Sequence, residues 1–492
     1  MQANADRSTD FAPPVWRSFW AIAAAITTAR VLTLMLTPLG IGPDEAQYWC
    51  WSRDFAFGYF SKPPLIAWAI AATTSVFGDA DWAVRLPAPF FHLGAAAFLY
   101  LTAKRLYGAR AAFWTGLGWL TMPGVVLSSF IIATDAPLLL FWSGALFFLV
   151  RIIEDKRAPA GDFILLGVMI GFGMMSKYAM MYFPAALAIT LLIRPIREKL
   201  LRTPLLLTAL AALAIFAPNI LWNMENDFQT LSHTAANANW GAPLFRPLNL
   251  IEFLGGQFAV FGLILFSALI YCVLTWRRLR ADPMALLLLV FALTPLVIVA
   301  GQAFLSRAHA NWAAAAYPAA LLLVTGFLLR EGRGRLLKAS LALHGAVFAI
   351  FSIGVLNLYL VDGAGLSRAV KDLRGWKAQT DAIIAYAPGY DAVLVDNRYL
   401  MGEMLYHQRA SGARIAALNP NDSIDNHYEA FIPFDPERMK RVLFVTTRED
   451  AAHAAYRFGS IERLGAVDAD IGGVKRRYTL FALGDYYGSG AD

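Results

Sequence analysis

Between residues 18 and 359 this chain is a succession of apolar stretches, each about as long as a bilayer is thick. The segments lie at approximately 18–39, 84–103, 111–130, 136–152, 162–176, 178–194, 204–222, 250–275, 284–305, 311–330 and 337–359. A helical span takes roughly 20 apolar residues. Inside hydrocarbon the backbone is satisfied only within helices or closed barrels. Hydrophobic residues make up 58% of the chain and charged ones 16%, with a mean hydropathy of +0.51, a balance foreign to soluble domains. The expected fold is a polytopic all-α membrane protein of about 11 spans.

Basic residues choose the orientation. They fall in alternate loops: Lys104, Arg105 and Arg110; Arg151, Lys156 and Arg157; Arg194, Arg197, Lys199 and Arg202; Arg277, Arg278 and Arg280; Arg330, Arg333, Arg335 and Lys338. Those loops are expected on the cytoplasmic side. The net charge of +7 thus reports topology and offers nothing for nucleic acid. The first apolar run lacks a cleavage site and is expected to remain as a span. The stretch 63–77 is too short to cross and reads as an interfacial helix begun by Pro63 and Pro64. Cys50 and Cys272 fall at opposite ends of their segments, so no bridge is expected.

After Tyr359 the composition turns polar. Runs at 392–395 and 442–445 read as strands, and 366–386 as an amphipathic helix. Strands alternating with helices suggest a small α/β domain. The chain therefore divides into 1–359, a membrane part, and 360–492, an α/β domain that an odd number of spans places in the periplasm.

Charges on the outer side are the candidates for chemistry. Pro43-Asp44-Glu45-Ala46-Gln47-Tyr48-Trp49 sets two carboxylates just beyond the first span. Charges there need water, a metal or a cation. Asp44 fits a general base or a metal ligand; the competing reading is a helix cap, and neighbours on a helix point in different directions. Tyr59-Phe60-Ser61-Lys62-Pro63-Pro64 adds a lysine suited to phosphate, with Tyr59 beside it and Arg53 as a second cation. Asp135 opens the fourth span, where capping is the alternative role. Lys177 interrupts two apolar segments. The loop His233-Thr234-Ala235-Ala236-Asn237-Ala238-Asn239-Trp240 and the turn His309-Ala310-Asn311-Trp312 interleave polar and aromatic groups that suit a sugar. Glu45 and His233 are the further candidates for a metal. Arg30 lies inside the first span without a partner that the sequence names. No P-loop, dinucleotide fingerprint or HExxH motif is present, and His407, His427 and His453 lack metal spacing.

The order of these motifs resembles the GT-C glycosyltransferases of family 39/83, especially the aminoarabinose lipid A transferases and galacturonosyltransferases, over roughly residues 20–330. The resemblance implies an inner-membrane, inverting transferase. It would move a sugar from a polyprenyl-phosphate donor to a lipid, glycan or protein acceptor at the periplasmic face. It makes Asp44 the base, Lys62 and Lys177 the phosphate partners, and Asp135 the second acidic residue. Read from the residues themselves, Glu45, Arg53, Tyr59, His233 and His309 are the further substrate-binding candidates. Two departures stand out. Aminoarabinose transferases carry glutamate, a metal ligand, where this chain has Ser61. They carry arginine where it has Gln47. A divalent cation is accordingly an open expectation, and a phosphate contact must come from elsewhere, with Arg53 the candidate. A transporter or flippase of a lipid-linked saccharide is the alternative, disfavoured by charges gathered at one face and by the lack of a repeat.

Overall fold

The computed structural model describes residues 14–236, 244–419, 421, 423–455 and 457–488. Seven helices are long and apolar enough to cross a bilayer, or up to nine if each of two bent pairs counts as one span. The remaining difference from eleven has a local cause in each case. The expected span 111–130 breaks at Met122-Pro123 into Ala109–Thr121 and Pro123–Ser128, because proline cannot donate to the preceding turn. The expected span 162–176 is a helix of 17 residues, Ala160–Ser176. The segment 178–194 is a 3₁₀ turn, Tyr178–Met181, running into Tyr182–Thr190. The segment 250–275 bends by 119° between Pro247–Val260 and Leu263–Leu274. Gly262 makes that corner at φ +95, and a Cβ there would lie 2.1 Å from His344 Nε2.

Helices differ sharply in how much protein surrounds them. Ala310–Arg330 is the central column, 89% buried, whereas Leu205–Glu225 is 11% and Gly334–Leu356 17% buried. An apolar helix that is largely uncovered faces lipid in a membrane protein. The main core packs Trp142, Phe183 and Phe291 between columns.

Beyond Gly363 the chain forms a five-stranded sheet in the order β2-β1-β3-β5-β4. Its strands are β1 (Ala392–Val395), β2 (Ile415–Ala417), β3 (Val442–Thr446), β4 (Phe458–Ile471) and β5 (Val474–Tyr486). β1 pairs in parallel with both β2 and β3; β5 is antiparallel to β3 and β4. β1 and β3 are the strands read from the sequence. The segment 366–386 is instead a 3₁₀ stretch, Ser367–Leu373, and a helix, Trp376–Ile384. Gly375 separates them at φ +78.

The helix Arg398–His407 docks this sheet on the membrane part, lying against Pro43–Trp51. At Gly402 a Cβ would stand 2.6 Å from the Tyr428 hydroxyl of the same domain, while the Pro43 carbonyl and the Ala46 Cβ lie at ordinary contact distances of 3.4 and 3.5 Å. Tyr406 carries the junction further. It is fully buried among Trp49, Ile70 and Val84, and its hydroxyl donates to Asp81 Oδ1 at 2.6 Å.

Candidate functional site

The helix Pro43–Trp51 begins at Gly42, with Pro43 in its first position. Glu45 and Asp44, one residue apart, meet opposite surroundings. Glu45 is 2% exposed. Its Oε2 accepts from Gly42 N–H at 2.9 Å and from Arg85 Nη2 at 2.6 Å. Its Oε1 accepts from Arg85 Nε at 2.8 Å and from Ile132 N–H at 3.0 Å. Every strong lone pair is engaged by a fork of arginine and two amides. This corrects the expectation of Glu45 as substrate or metal ligand. It ties the helix start to the loop before Asp135.

Asp44 is exposed, and its one ion pair among the described residues is a contact of 3.4 Å with Arg398 Nη1. Arg398 also donates to Gln47 Oε1 at 3.3 Å. Burial works against the charge of this guanidinium, but Asp44, Tyr399 and Tyr428 together more than offset it and the pKa is raised.

Lys62 sits in the loop before the helix Leu65–Phe77. Asn219 Nδ2 holds this loop by the Phe57 carbonyl at 2.6 Å, and Thr230 Oγ1 by the Tyr59 carbonyl at 2.7 Å. Gly58 is required beneath it, since a Cβ would meet the Trp222 ring at 2.2 Å. The Lys62 ammonium makes no ion pair among the described residues. Its pKa is lowered first by burial, then by Lys177, with Asp44 and Asp135 opposing. That set of charges marks the centre of the site.

Asp135 occupies the first turn of Asp135–Glu154, where the helix dipole favours a carboxylate. Its side chain does not cap the helix. Oδ1 accepts from Lys177 Nζ at 2.7 Å and Oδ2 from Asn311 Nδ2 at 3.1 Å. Lys177 reaches it because the chain leaves helix Ala160–Ser176 in extended geometry, φ −163 and ψ 136. Tyr48, one turn after Asp44, is buried within the fields of Asp44 and Asp135, and its phenol is pushed up by burial first and by those charges next.

His233 comes close through an unusual turn: Asp227 and Phe228 both have positive φ, 52 and 53. Its ring meets Phe60 at 5.5 Å. Burial, then Lys62 and Arg398, lower its pKa. Two neighbouring cations disfavour a metal on this imidazole. Asn237, Asn239 and Trp240 lie outside the described residues. His309 is exposed with its ring on Trp312 at 5.5 Å; Asn311 is the member of that turn that reaches Asp135.

Two further expectations are corrected. The Tyr59 hydroxyl donates to the Asp54 carbonyl at 2.7 Å, its ring stacks on Trp51 at 5.1 Å, and burial pushes the phenol up to about 12. It shapes the loop that presents Lys62. Arg53 pairs with Asp79 at 3.1 Å and lies over the Trp49 ring, fastening Pro43–Trp51 to the next helix. The cation that meets Gln47 is Arg398. Sequence reasoning passed over Arg398, although Asn397 after a strand-like run is a helix-cap signal. Arg85 was hidden as an ordinary charge at the edge of a span.

Among the described residues no three His, Cys, Asp or Glu side chains converge on a metal position. Glu45 is saturated and His233 faces cations, so neither candidate fits a divalent ion. The arrangement can take a proton at Asp44 and hold oxyanions with Lys62, Lys177 and Arg398.

The family described as dolichyl-phosphate-mannose-protein mannosyltransferase matches residues 61–222. The lipid A galacturonosyltransferase RgtD of Rhizobium johnstonii is 33% identical over 435 residues, covering 87% of this chain and 91% of that protein. The undecaprenyl phosphate-alpha-4-amino-4-deoxy-L-arabinose arabinosyl transferase of Aeromonas salmonicida is 25% identical over 371 residues, 68% of this chain and 65% of that protein. In fold, the chain is similar to ArnT from Cupriavidus metallidurans bound to undecaprenyl phosphate. The TM-score is 0.66 at 17% identity, over 96% of this chain and 98% of that one. The chain therefore belongs to the family of membrane glycosyltransferases of GT-C fold that includes the Rhizobium lipid A galacturonosyltransferase.

Proposed function

We propose that this enzyme transfers a sugar from a polyprenyl-phosphate donor to lipid A at the periplasmic face of the inner membrane, with residues 1–359 as the catalytic membrane part and 360–492 as a periplasmic α/β domain. The observation that carries the reading is Lys62: an ammonium without an ion-pair partner among the described residues, within the fields of the carboxylates Asp44 and Asp135. The names of the relatives support a lipid-linked donor and a lipid A acceptor.

An acceptor hydroxyl gives its proton to Asp44, and its oxygen attacks the anomeric carbon as the sugar–phosphate bond breaks. The electron pair leaves with the polyprenyl phosphate. Configuration inverts in this single displacement. The leaving phosphate gains negative charge, which Lys62 and Lys177 stabilise without having to reorganise. Asp135 and Asn311 hold the Lys177 end of this clamp, so Asp135 is a positioning residue. The prenyl tail has a place beside the clamp: a cavity of about 230 Å³ lined by Met174, Tyr178, Met181, Phe216, Ile220 and Leu231. It lies on the thinly covered helix Leu205–Glu225, so a lipid reaches it sideways from the bilayer.

The test is transfer by the purified, reconstituted full-length protein, read as a sugar mass added to lipid A. Donors are undecaprenyl-phosphate-linked sugars. Wild-type transfer that disappears in Asp44→Asn is expected. Wild-type protein that adds no sugar mass from any such donor, while moving the donor across acceptor-free vesicles, would replace this reading with transport.

A further inference from the structure

Arg398 belongs to the C-terminal sheet region yet stands at the carboxylate of the proposed base. Its placement is built in at three levels. β1 lies between β2 and β3, and both neighbours run parallel to it. The first crossover, through Arg398–His407, leads to β2 on one side of β1, and the next leads back to β3 on its other side. The carboxyl end of β1 thus lies where the strand order reverses, the position at which open α/β sheets place their ligands. Asn397 then caps the docking helix, accepting from the Tyr399 and Leu400 amides at 3.0 Å each. Arg398 is thereby fixed as the first residue of that helix. Finally the helix packs along Pro43–Trp51, which brings the Arg398 guanidinium to Asp44.

The guanidinium is underused where it stands. Arg85 engages Glu45 through two nitrogens at 2.6 and 2.8 Å. Arg398 reaches Asp44 through one nitrogen at 3.4 Å, donates its other amino group to the Tyr399 hydroxyl at 3.3 Å, and is 42% exposed. A planar fork suited to two oxygens of one oxyacid is held in the site without one. Arg398 reaches the site from the sheet region, whereas Lys62 and Lys177 reach it from the loop before Leu65–Phe77 and from the end of Ala160–Ser176. Asp44 lies within the fields of both Lys62 and Arg398. A donor whose phosphate rests on the lysines can therefore present its sugar to Arg398 beside the base.

We propose that Arg398 binds the carboxylate of a uronic acid on the donor, making it the residue that selects an anionic sugar. The proposal rests on the transferase reading above and deepens it. In the empty site Arg398 leans on Asp44. With the donor bound it turns its fork to the sugar carboxylate and leaves Asp44 free to accept the proton. The donor's two anions, phosphodiester and carboxylate, then have separate cations of suitable shape: compact ammonium for phosphate and planar guanidinium for carboxylate.

The experiment compares two donors with the reconstituted full-length enzyme: undecaprenyl-phosphate-linked galacturonic acid and undecaprenyl-phosphate-linked galactose, with lipid A as acceptor. Binding of bare undecaprenyl phosphate is measured in parallel. Wild-type enzyme is expected to prefer the uronic donor. In Arg398→Ala, KM for that donor should rise about 10- to 100-fold, the range of a lost charge-assisted contact. KM for the neutral donor and binding of undecaprenyl phosphate should change little. Arg398→Lys should fall between, keeping charge and losing the fork. Equal weakening of bare undecaprenyl phosphate in Arg398→Ala would reassign the residue to the donor phosphate and overturn the proposal. Equal use of both donors by wild type would overturn it too, as would an Arg398→Ala enzyme with unchanged KM for either. Transfer of neither donor by a wild-type enzyme that transfers another undecaprenyl-phosphate-linked sugar would overturn this proposal alone; transfer of no such sugar at all would sink the transferase reading and this proposal with it.

Discussion

Helix Pro43–Trp51 carries Glu45 into a buried pocket and Asp44 to an open mouth, and the two sides obey different physics. On the Glu45 side a carboxylate and Arg85 are 2% and 1% exposed and bound through two short contacts, with two backbone amides filling the remaining positions. Such a pair gains little over an apolar replacement of both partners, but breaking half of it strands a charge. On the Asp44 side the carboxylate is 64% exposed and Arg398 touches it at 3.4 Å. An exposed pair like that adds little to stability, so its groups remain available to a ligand. The comparison separates scaffold from machinery between adjacent residues of the same chemical type.

Exchanging Asp44 for its amide and removing the partner of Glu45 put this contrast to the proof. Asp44→Asn should lower the transfer rate by about 10²- to 10⁴-fold, the contribution of a general base, with the melting temperature unchanged. Retained transfer by folded Asp44→Asn would remove Asp44 from the proposed role. Removing Arg85 should do the reverse. Arg85→Ala strands the Glu45 charge and should cost about 3–5 kcal/mol of stability, seen as loss of monodisperse protein on size exclusion and a much lower melting point. The small fraction that folds should keep its donor KM. A well-folded Arg85→Ala with a raised donor KM would instead place the buried pair in the substrate site.

A smaller effect is expected at Lys177. Lys177→Met leaves Asp135 with Asn311 as its remaining side-chain partner. If Lys177 is the second phosphate contact, affinity for bare undecaprenyl phosphate should fall about 10-fold, in the range of one charge-assisted bond. Asp135→Asn should fall less, because it loosens the lysine without removing it. The opposite ranking would make Asp135 the group that meets substrate.

Helical identity was plain in the sequence because each span had to be apolar along its whole length, and that signal is local. Span integrity was not, because the breaks at Pro123 and Gly262 depend on what packs against them; the corner at Gly262 exists because His344 fills the space beside it. In the site, Asp44, Lys62, Asp135 and Lys177 were legible as outer-face charges in a hydrophobic setting, where each charge calls for a reason. Glu45 and Asp44 could not be told apart, since their difference is set by Arg85 from forty residues away. Arg398 was further out of reach. Its part depends on how the sheet region docks, through contacts such as Tyr406 with Asp81, and no local pattern encodes that placement. The long hairpin of β4 and β5 was missed for a related reason: β4 is largely exposed, with only Phe458, Val467 and Ile471 buried along it, so it lacks the apolar run that marks a strand.

Glu403 supplies a third carboxylate, neither saturated like Glu45 nor exposed like Asp44. It lies on the docking helix, fully buried, with His407 Nε2 at 3.2 Å as its near neighbour. Burial, and next the charge of Glu45, push its carboxyl well above the usual 4.5. Burial also lowers the His407 pKa, so the imidazole is a poor counter-ion. The sign follows from linkage: an acid with a raised folded pKa favours the folded state below its unfolded value, and that advantage is lost as pH rises through the folded value. Glutamine imitates the neutral acid at every pH. Glu403→Gln should therefore melt close to wild type in mild acid and a few degrees higher under alkaline conditions, with the gap widening as pH rises. A variant that melts lower than wild type at alkaline pH would show that an ionised Glu403 has found a cation, and the docking interface would then resemble the Glu45 pocket in its chemistry.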